Sequence, residues 1–237
     1  MTRRVPIDWG TVRWIALLFV TDVATWVLGL LYVPLFWPIA VLAFWSALSL
    51  GAVIVLYAAV AFGHNPGAVL KGAKHWWLQP VFFPFRVVSW LVFAATRKTR
   101  REEVLCEVIP GVFLGPRLFP GERALLDAKG IRYIVDVTSE MPTAKVFSEA
   151  PFERYASPLL DRVVVPDDEL DRAVAWVLDK RARGERVFIH CAFGRGRSAH
   201  WPEPAIPVAV DVHAGDWCGQ LHAAFDRAAA RARIATG

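Results

Sequence analysis

Apolar positions along the chain fall into two regimes. From Trp14 to Phe62 they run almost unbroken, and Asp22 is the one formally charged side chain in the stretch. The run is about fifty residues long, twice what one membrane span needs. Pro34 and Pro38 flank Leu35, Phe36 and Trp37, where a tight turn fits. The pattern predicts two helical spans, about 13–33 and about 38–62, paired as a hairpin. Residues 76–96, WWLQPVFFPFRVVSWLVFAAT, are again apolar and aromatic, but Pro80, Pro84 and Arg86 interrupt them. We read this stretch as an interfacial segment with tryptophans at headgroup depth, a third span being the alternative.

Beyond the basic run RKTRREE the periodicity becomes that of an α/β domain. VLCEV (104–108) and VFLG (112–115) read as short strands around Ile109-Pro110-Gly111. ERALLDAKG (122–130) has helical spacing and a glycine stop. IRYIVDV (131–137) and ERYASPLL (153–160) read as strands. DDELDRAVAWVLDKRARG (167–184) carries acids in its first turn and bases before Gly184, the clearest helix of the chain. ERVFIH (185–190) is a β-branched and aromatic strand. Strands alternating with helices predict a mainly parallel central sheet flanked by helices.

Composition and charge sharpen this division. The chain of 237 residues is 55% hydrophobic with 11 Trp. That excludes disorder, and it is too apolar for a simple soluble globule. Residues 1–101 hold ten Lys/Arg against two acids, whereas 102–237 hold seventeen against twenty. The cations of the first half border apolar segments, which points to anionic lipid and away from nucleic acid. Arg3, Arg4 and Arg13 precede the first span and Lys71 and Lys74 follow the second, so both ends of the hairpin are expected on the cytoplasmic side. We expect a multi-pass membrane protein with its second half cytoplasmic. A cleavable signal peptide fits poorly, since its apolar core is far shorter than this run. Asp22 is expected near the hairpin interior, protonated or bonded to Thr21 or Thr25. Cys106, Cys191 and Cys218 are too few and too scattered for a disulfide framework or a metal site, which fits a reducing compartment. The organisation expected is 1–63, two transmembrane helices; 64–101, the interfacial segment; 102–198, the domain core; and 199–237, an atypical tail, helical in pattern from 217.

The chemistry lies after the last strand. Residues 190–198 read His190-Cys191-Ala192-Phe193-Gly194-Arg195-Gly196-Arg197-Ser198. A cysteine at a strand end, a loop that its glycines let curl, and a returning arginine can aim successive backbone N–H groups at one point and so make an anion nest. A thiolate there is stabilised and acts as a nucleophile near neutral pH. Arg197 offers a planar fork for two phosphoryl oxygens.

This loop resembles the Cys-x5-Arg signature of the protein-tyrosine phosphatase superfamily, and its surroundings resemble the dual-specificity branch. The resemblance covers about residues 103–198, with IPGVFLGP (109–116), GIRYIVDVT (130–138) and Tyr155 leading to Pro158-Leu159-Leu160-Asp161. It implies a phosphoric monoester hydrolase that works through a cysteinyl-phosphate. Cys191 would attack phosphorus, while Arg197 and the amides of Ala192, Phe193, Gly194, Arg195, Gly196 and Arg197 would hold the equatorial oxygens. Ser198 would assist departure of the thiolate, and His190 would help set its protonation. Asp161 would be the general acid, with Asp167 and Asp168 as rivals whose place at a helix start suits capping. No metal and no cofactor are implied.

Two features leave the substrate open. The apolar first half places the loop near a bilayer, and Arg195 adds a second cation, so a phospholipid headgroup competes with a phosphorylated protein as substrate. After the loop come Pro202, Pro204 and Pro207, which cannot sit inside the helix that should follow it. A catalytically dead module that binds phosphorylated ligands is the reading this tail favours.

Overall fold

The computed structural model describes residues 9–61, 64, 66–72, 76–99, 104–161 and 167–194. They form two compact units, one built on the chain up to Ala95 and the other from Thr96 onward, with residues 139–142 grouped with the first.

The first unit is helical. Helix α1 (Trp9–Tyr32) and α2 (Trp37–Ala61) form the expected hairpin. The chain reverses over Val33–Phe36, where the Phe36 N–H donates to Tyr32 O at 2.8 Å. Pro38 falls in the first turn of α2, where its missing N–H has no intrahelical partner to lose. Small buried residues at Ala40, Ala43 and Ala47 give α2 a narrow face at helical spacing, and Trp26 of α1 packs on Phe44 with centroids 5.4 Å apart. Asp22 faces Gly51 across this hairpin. The expected bonds to Thr21 or Thr25 are absent, because those hydroxyls donate to Leu17 O and Thr21 O of their own helix.

A short helix α3 (Gly67–Lys71) and a single 3-10 turn (Trp76–Leu78) lead to α4 (Gln79–Thr99). The interruption expected at Pro80 and Pro84 does not occur, and α4 is one continuous helix. Pro80 lies in the first turn, where proline is tolerated. Pro84 lies inside and cannot donate to the carbonyl of Pro80. The Trp45 indole Nε1–H takes over that acceptor at 3.0 Å. One turn along α2, Ser49 Oγ accepts the Phe85 N–H at 3.3 Å. Two side chains of α2 thus restore the ladder that proline opens in its neighbour. The Arg86 guanidinium donates to Leu70 O, which gives this cation a polar partner inside an apolar helix. Among the described residues, α1, α2 and α4 are each long and apolar enough to cross a membrane.

The second unit contains β1 (Cys106–Ile109), β2 (Val112–Pro116), α5 (Arg123–Ala128), β3 (Tyr133–Thr138), β4 (Glu153–Leu159), α6 (Asp167–Ala182) and β5 (Val187–Cys191). The sheet order is β1-β2-β5-β3-β4, antiparallel only between β1 and β2. It is therefore mixed and mainly parallel, as the periodicity predicts. β5 at its centre is buried at every position, which is why VFIHC reads as an apolar run and not an alternating one. Pro158 falls on β4, an edge strand, where a missing donor is tolerated. One face of the sheet packs Phe113, Ile134 and Phe188 with Leu126, Phe147 and Phe152 into the core. Against β3 and β4 lies α6, whose Trp176 meets Tyr133 edge-on at 5.9 Å. Its Lys180 ammonium sits over the Tyr133 ring and binds both Glu153 oxygens at 2.9 and 3.0 Å. Cys106 is disulfide-bonded, although the three cysteines were expected to be too few and too scattered for a disulfide framework.

Candidate active site

Parallel strands deliver their carboxyl ends to one edge of a sheet, and chemistry-bearing loops gather there. β5 ends at His190 and Cys191, its neighbour β3 ends at Asp136 and Thr138, and β4 beyond it leads to Leu160 and Asp161. Cys191 ends β5 and Asp161 follows β4, two strands away at the same edge of the sheet.

Cys191 is almost completely buried, at 2% exposure. Beyond it the backbone curls back, and the Gly194 N–H donates to Cys191 Sγ at 3.1 Å. Two features hold the curl in place. Gly194 has φ +77°, and a Cβ there would lie 2.5 Å from Pro116 N and 2.6 Å from Gly115 C. The loop thus rests directly on the β2 backbone, as only glycine permits. One residue further along that segment, the Arg117 N–H donates to Ala192 O at 3.2 Å. Pro116 pairs in register with Cys191, so this cysteine and the strand that props its loop lie side by side. Phe193 is partly exposed at the surface of the loop. Arg195, Gly196, Arg197 and Ser198, all expected in the site, lie outside the described residues, as does the tail 199–237. Asp167 and Asp168 occupy the first turn of α6, the place of capping residues; their side chains are outside the described set.

His190 is buried, stacked on Phe188 with centroids 5.4 Å apart and planes at 23°. Its register partner on β3 is Asp136. Sequence reasoning passed over this residue as one letter in a buried strand. The structure makes it the hub of a polar network. Asp136 is fully buried, its Oδ1 accepting the Thr138 N–H at 2.9 Å. Its Oδ2 accepts from the Thr143 hydroxyl and faces the Arg154 guanidinium at 3.6 Å. His190 Nε2 lies 3.9 Å from Asp136 Oδ1. The available signal was a carboxylate inside an otherwise apolar strand, which is costly unless paired. Its partners Thr143 and Arg154 are distant in sequence, and so gave no local cue.

Arg97, in the last turn of α4, binds Glu122 and lies over the Phe119 ring at 5.7 Å. Glu122 in turn accepts the Phe119 N–H at 2.7 Å. One cation of the basic run is therefore built into the α/β unit, at the segment that follows β2.

No protein-family model matches the chain. Similar solved structures are phosphatases and phosphatase-like proteins of the branch that residues 103–198 resemble. Tk-PTP in its active form is 17% identical, with 53% of this chain and 84% of that chain covered and a TM-score of 0.41. PTPMT1 in complex with PI(5)P is 19% identical, covering 55% of this chain and 99% of that one, with a TM-score of 0.40. A human tyrosine phosphatase-like serine/threonine/tyrosine-interacting protein is 19% identical, with 52% and 95% covered and a TM-score of 0.38.

Proposed function

We propose that the chain is a membrane-associated, cysteine-dependent phosphatase that hydrolyses phosphate monoesters on phosphotyrosine, phosphoserine or phosphothreonine proteins. The observation that carries this reading is the Gly194 N–H aimed at a buried Cys191 Sγ. An inert structural cysteine has no need of such a donor.

In this mechanism the Cys191 thiolate attacks phosphorus, and the bond to the ester oxygen breaks as Asp161 hands that oxygen its proton. The loop amides and the Arg197 fork stabilise the charge spread over the equatorial oxygens. Water then attacks the cysteinyl-phosphate, giving its proton to the Asp161 carboxylate, and inorganic phosphate leaves as the thiolate is restored with Ser198 assisting. Neither a metal nor a cofactor takes part. Three apolar helices in the same chain support a second substrate reading, a membrane phospholipid presented at the bilayer surface. Under either reading we take the protein as multi-pass through the α1–α2 hairpin, with α4 lying along the membrane and the catalytic unit cytoplasmic, a reading supported by the cations that flank the hairpin.

The test is phosphate release from p-nitrophenyl phosphate by full-length protein in nanodiscs, beside Cys191→Ser. Turnover should vanish in the variant while phosphate-ester binding persists. Residual rates above about a thousandth of wild type would sink the nucleophile assignment. Folded protein without turnover, yet binding phosphorylated ligands, would establish the binding module instead.

A further inference from the structure

We propose that Arg97 is a positioning residue for the Cys191 loop, its ion pair with Glu122 anchoring the strap 117–122 that seats the loop. The proposal rests on the reading of Cys191 as the nucleophile, and it gives a role to a cation of the basic run that the mechanism does not use. Arg97 stands in the last turn of α4, and that turn belongs to the second unit together with the strap and the loop.

The geometry runs in three steps from the loop to the arginine. The strap begins where β2 ends. Its Arg117 N–H donates to Ala192 O at 3.2 Å, and just before it the backbone of Gly115 and Pro116 supports Gly194. A shift of residues 115–117 therefore shifts the loop, because close packing leaves no slack between them. The middle of the strap is stiff. Leu118 is buried, and Pro120 opens a single 3-10 turn (Pro120–Glu122) in which the Glu122 N–H donates to Phe119 O at 2.9 Å. Pro116 and Pro120 each fix φ, so a movement at one end is passed on to the other. The far end is held by Glu122, with both carboxylate oxygens engaged. One accepts the Phe119 N–H at 2.7 Å and the other accepts from the Arg97 guanidinium, which also lies 5.7 Å from the centre of the Phe119 ring. Arg97 thus grips the strap twice, through the carboxylate and through the ring. Its side chain is 12% exposed and that of Glu122 is 26% exposed, so water and salt screen the pair little. Removing the guanidinium drives the carboxylate outward to solvent, and the Phe119 N–H loses its acceptor.

The experiment compares full-length wild type, Arg97→Gln, Glu122→Gln and Lys180→Gln in nanodiscs, by amide hydrogen exchange and by turnover of p-nitrophenyl phosphate. Lys180→Gln is the control. It breaks a pair whose lysine is similarly buried, at 11% exposure, with Glu153 at the start of β4, the end of the sheet away from the loop. Arg97→Gln should speed exchange at the Arg117 and Gly194 N–H groups by about tenfold, the size of one hydrogen bond to a charged group. Its kcat should fall by about tenfold or more while KM moves less than about threefold, because the displaced Gly194 donor acts at the attacking sulfur. Lys180→Gln should melt lower and leave both readouts at wild type. Unchanged exchange at 117 and 194 in Arg97→Gln, or equal effects in Lys180→Gln, overturns the proposal. If Arg97→Gln does not fold, Glu122→Gln decides. It keeps an oxygen for the Phe119 N–H and loses only the charge pair, and unchanged exchange there overturns the proposal. Faster exchange at both amides in a chain whose wild type has no turnover keeps Arg97 as the anchor of the loop and removes the phosphatase reading.

Discussion

Replacing Gly194 by alanine probes the catalytic loop with a single methyl group. Two costs arise, and the structure separates them. The first is backbone: φ +77° lies in the left-handed region, which costs a residue bearing Cβ about 1 kcal/mol. The second is contact: the new Cβ would lie 2.5 Å from Pro116 N and 2.6 Å from Gly115 C. Neither atom can move aside, because both belong to β2, which is bonded to β1 on one side and β5 on the other. The loop must therefore lift by about an ångström, since close-packed interiors leave no slack to absorb the methyl. That displacement breaks the 3.1 Å bond from Gly194 N–H to Cys191 Sγ and strains the one from Arg117 N–H to Ala192 O. Loss of one donor aimed at developing charge typically costs about 10²–10³ in kcat, or about 3–4 kcal/mol of barrier. Gly184→Ala is the control: its φ is +78° and nothing lies within 4 Å of the added Cβ, so it carries the backbone cost alone. The assay is kcat/KM on p-nitrophenyl phosphate for both variants, with thermal melting alongside. Gly194→Ala should lose at least about a hundredfold, while Gly184→Ala should melt slightly lower and keep its turnover. A Gly194→Ala enzyme within about threefold of wild type would refute the claim that this loop geometry makes the site.

Two further outcomes follow from the same structure. Asp161→Ala should slow alkyl phosphates by about 10²–10⁴ and an activated aryl phosphate far less, since only poor leaving groups need the proton; equal losses on both would move the general acid to Asp167 or Asp168. Trp45→Phe retains the stacking on Phe83, at 5.6 Å between centroids, but removes the donor to Pro80 O. It should cost about 1 kcal/mol in unfolding from detergent micelles, and no loss would show that the indole does not repair the helix at Pro84.

Local pattern carried much of this protein. Unbroken apolar runs specify both ends of α2 and the end of α1 within a residue, while α1 begins four residues before the expected start; a membrane-length helix needs nothing beyond its own hydrogen bonds. Strand β1 and helix α6 were legible for a similar reason, their periodicities of two and 3.6 recording one buried face, while β3 and β5 read as unbroken apolar runs because both of their faces are buried. Cys191 at the end of its strand and the curl at Gly194 were legible because they belong to a single contiguous stretch of chain. Everything that depends on a partner far along the sequence was hidden. Pro84 reads as a helix breaker until Trp45 and Ser49, on another helix, satisfy the groups it frees. Asp22 reads as a partner for Thr21 or Thr25 until those hydroxyls are seen bonding to their own helix. Asp136 reads as one residue of a strand until β5 lies beside β3 and brings His190 next to it. A sequence records which groups must be buried or bonded, but strand order decides which groups meet. Here the order β2-β5-β3-β4 sets β5, with His190 and Cys191 at its end, between the strand that props the following loop and the strand that carries Asp136.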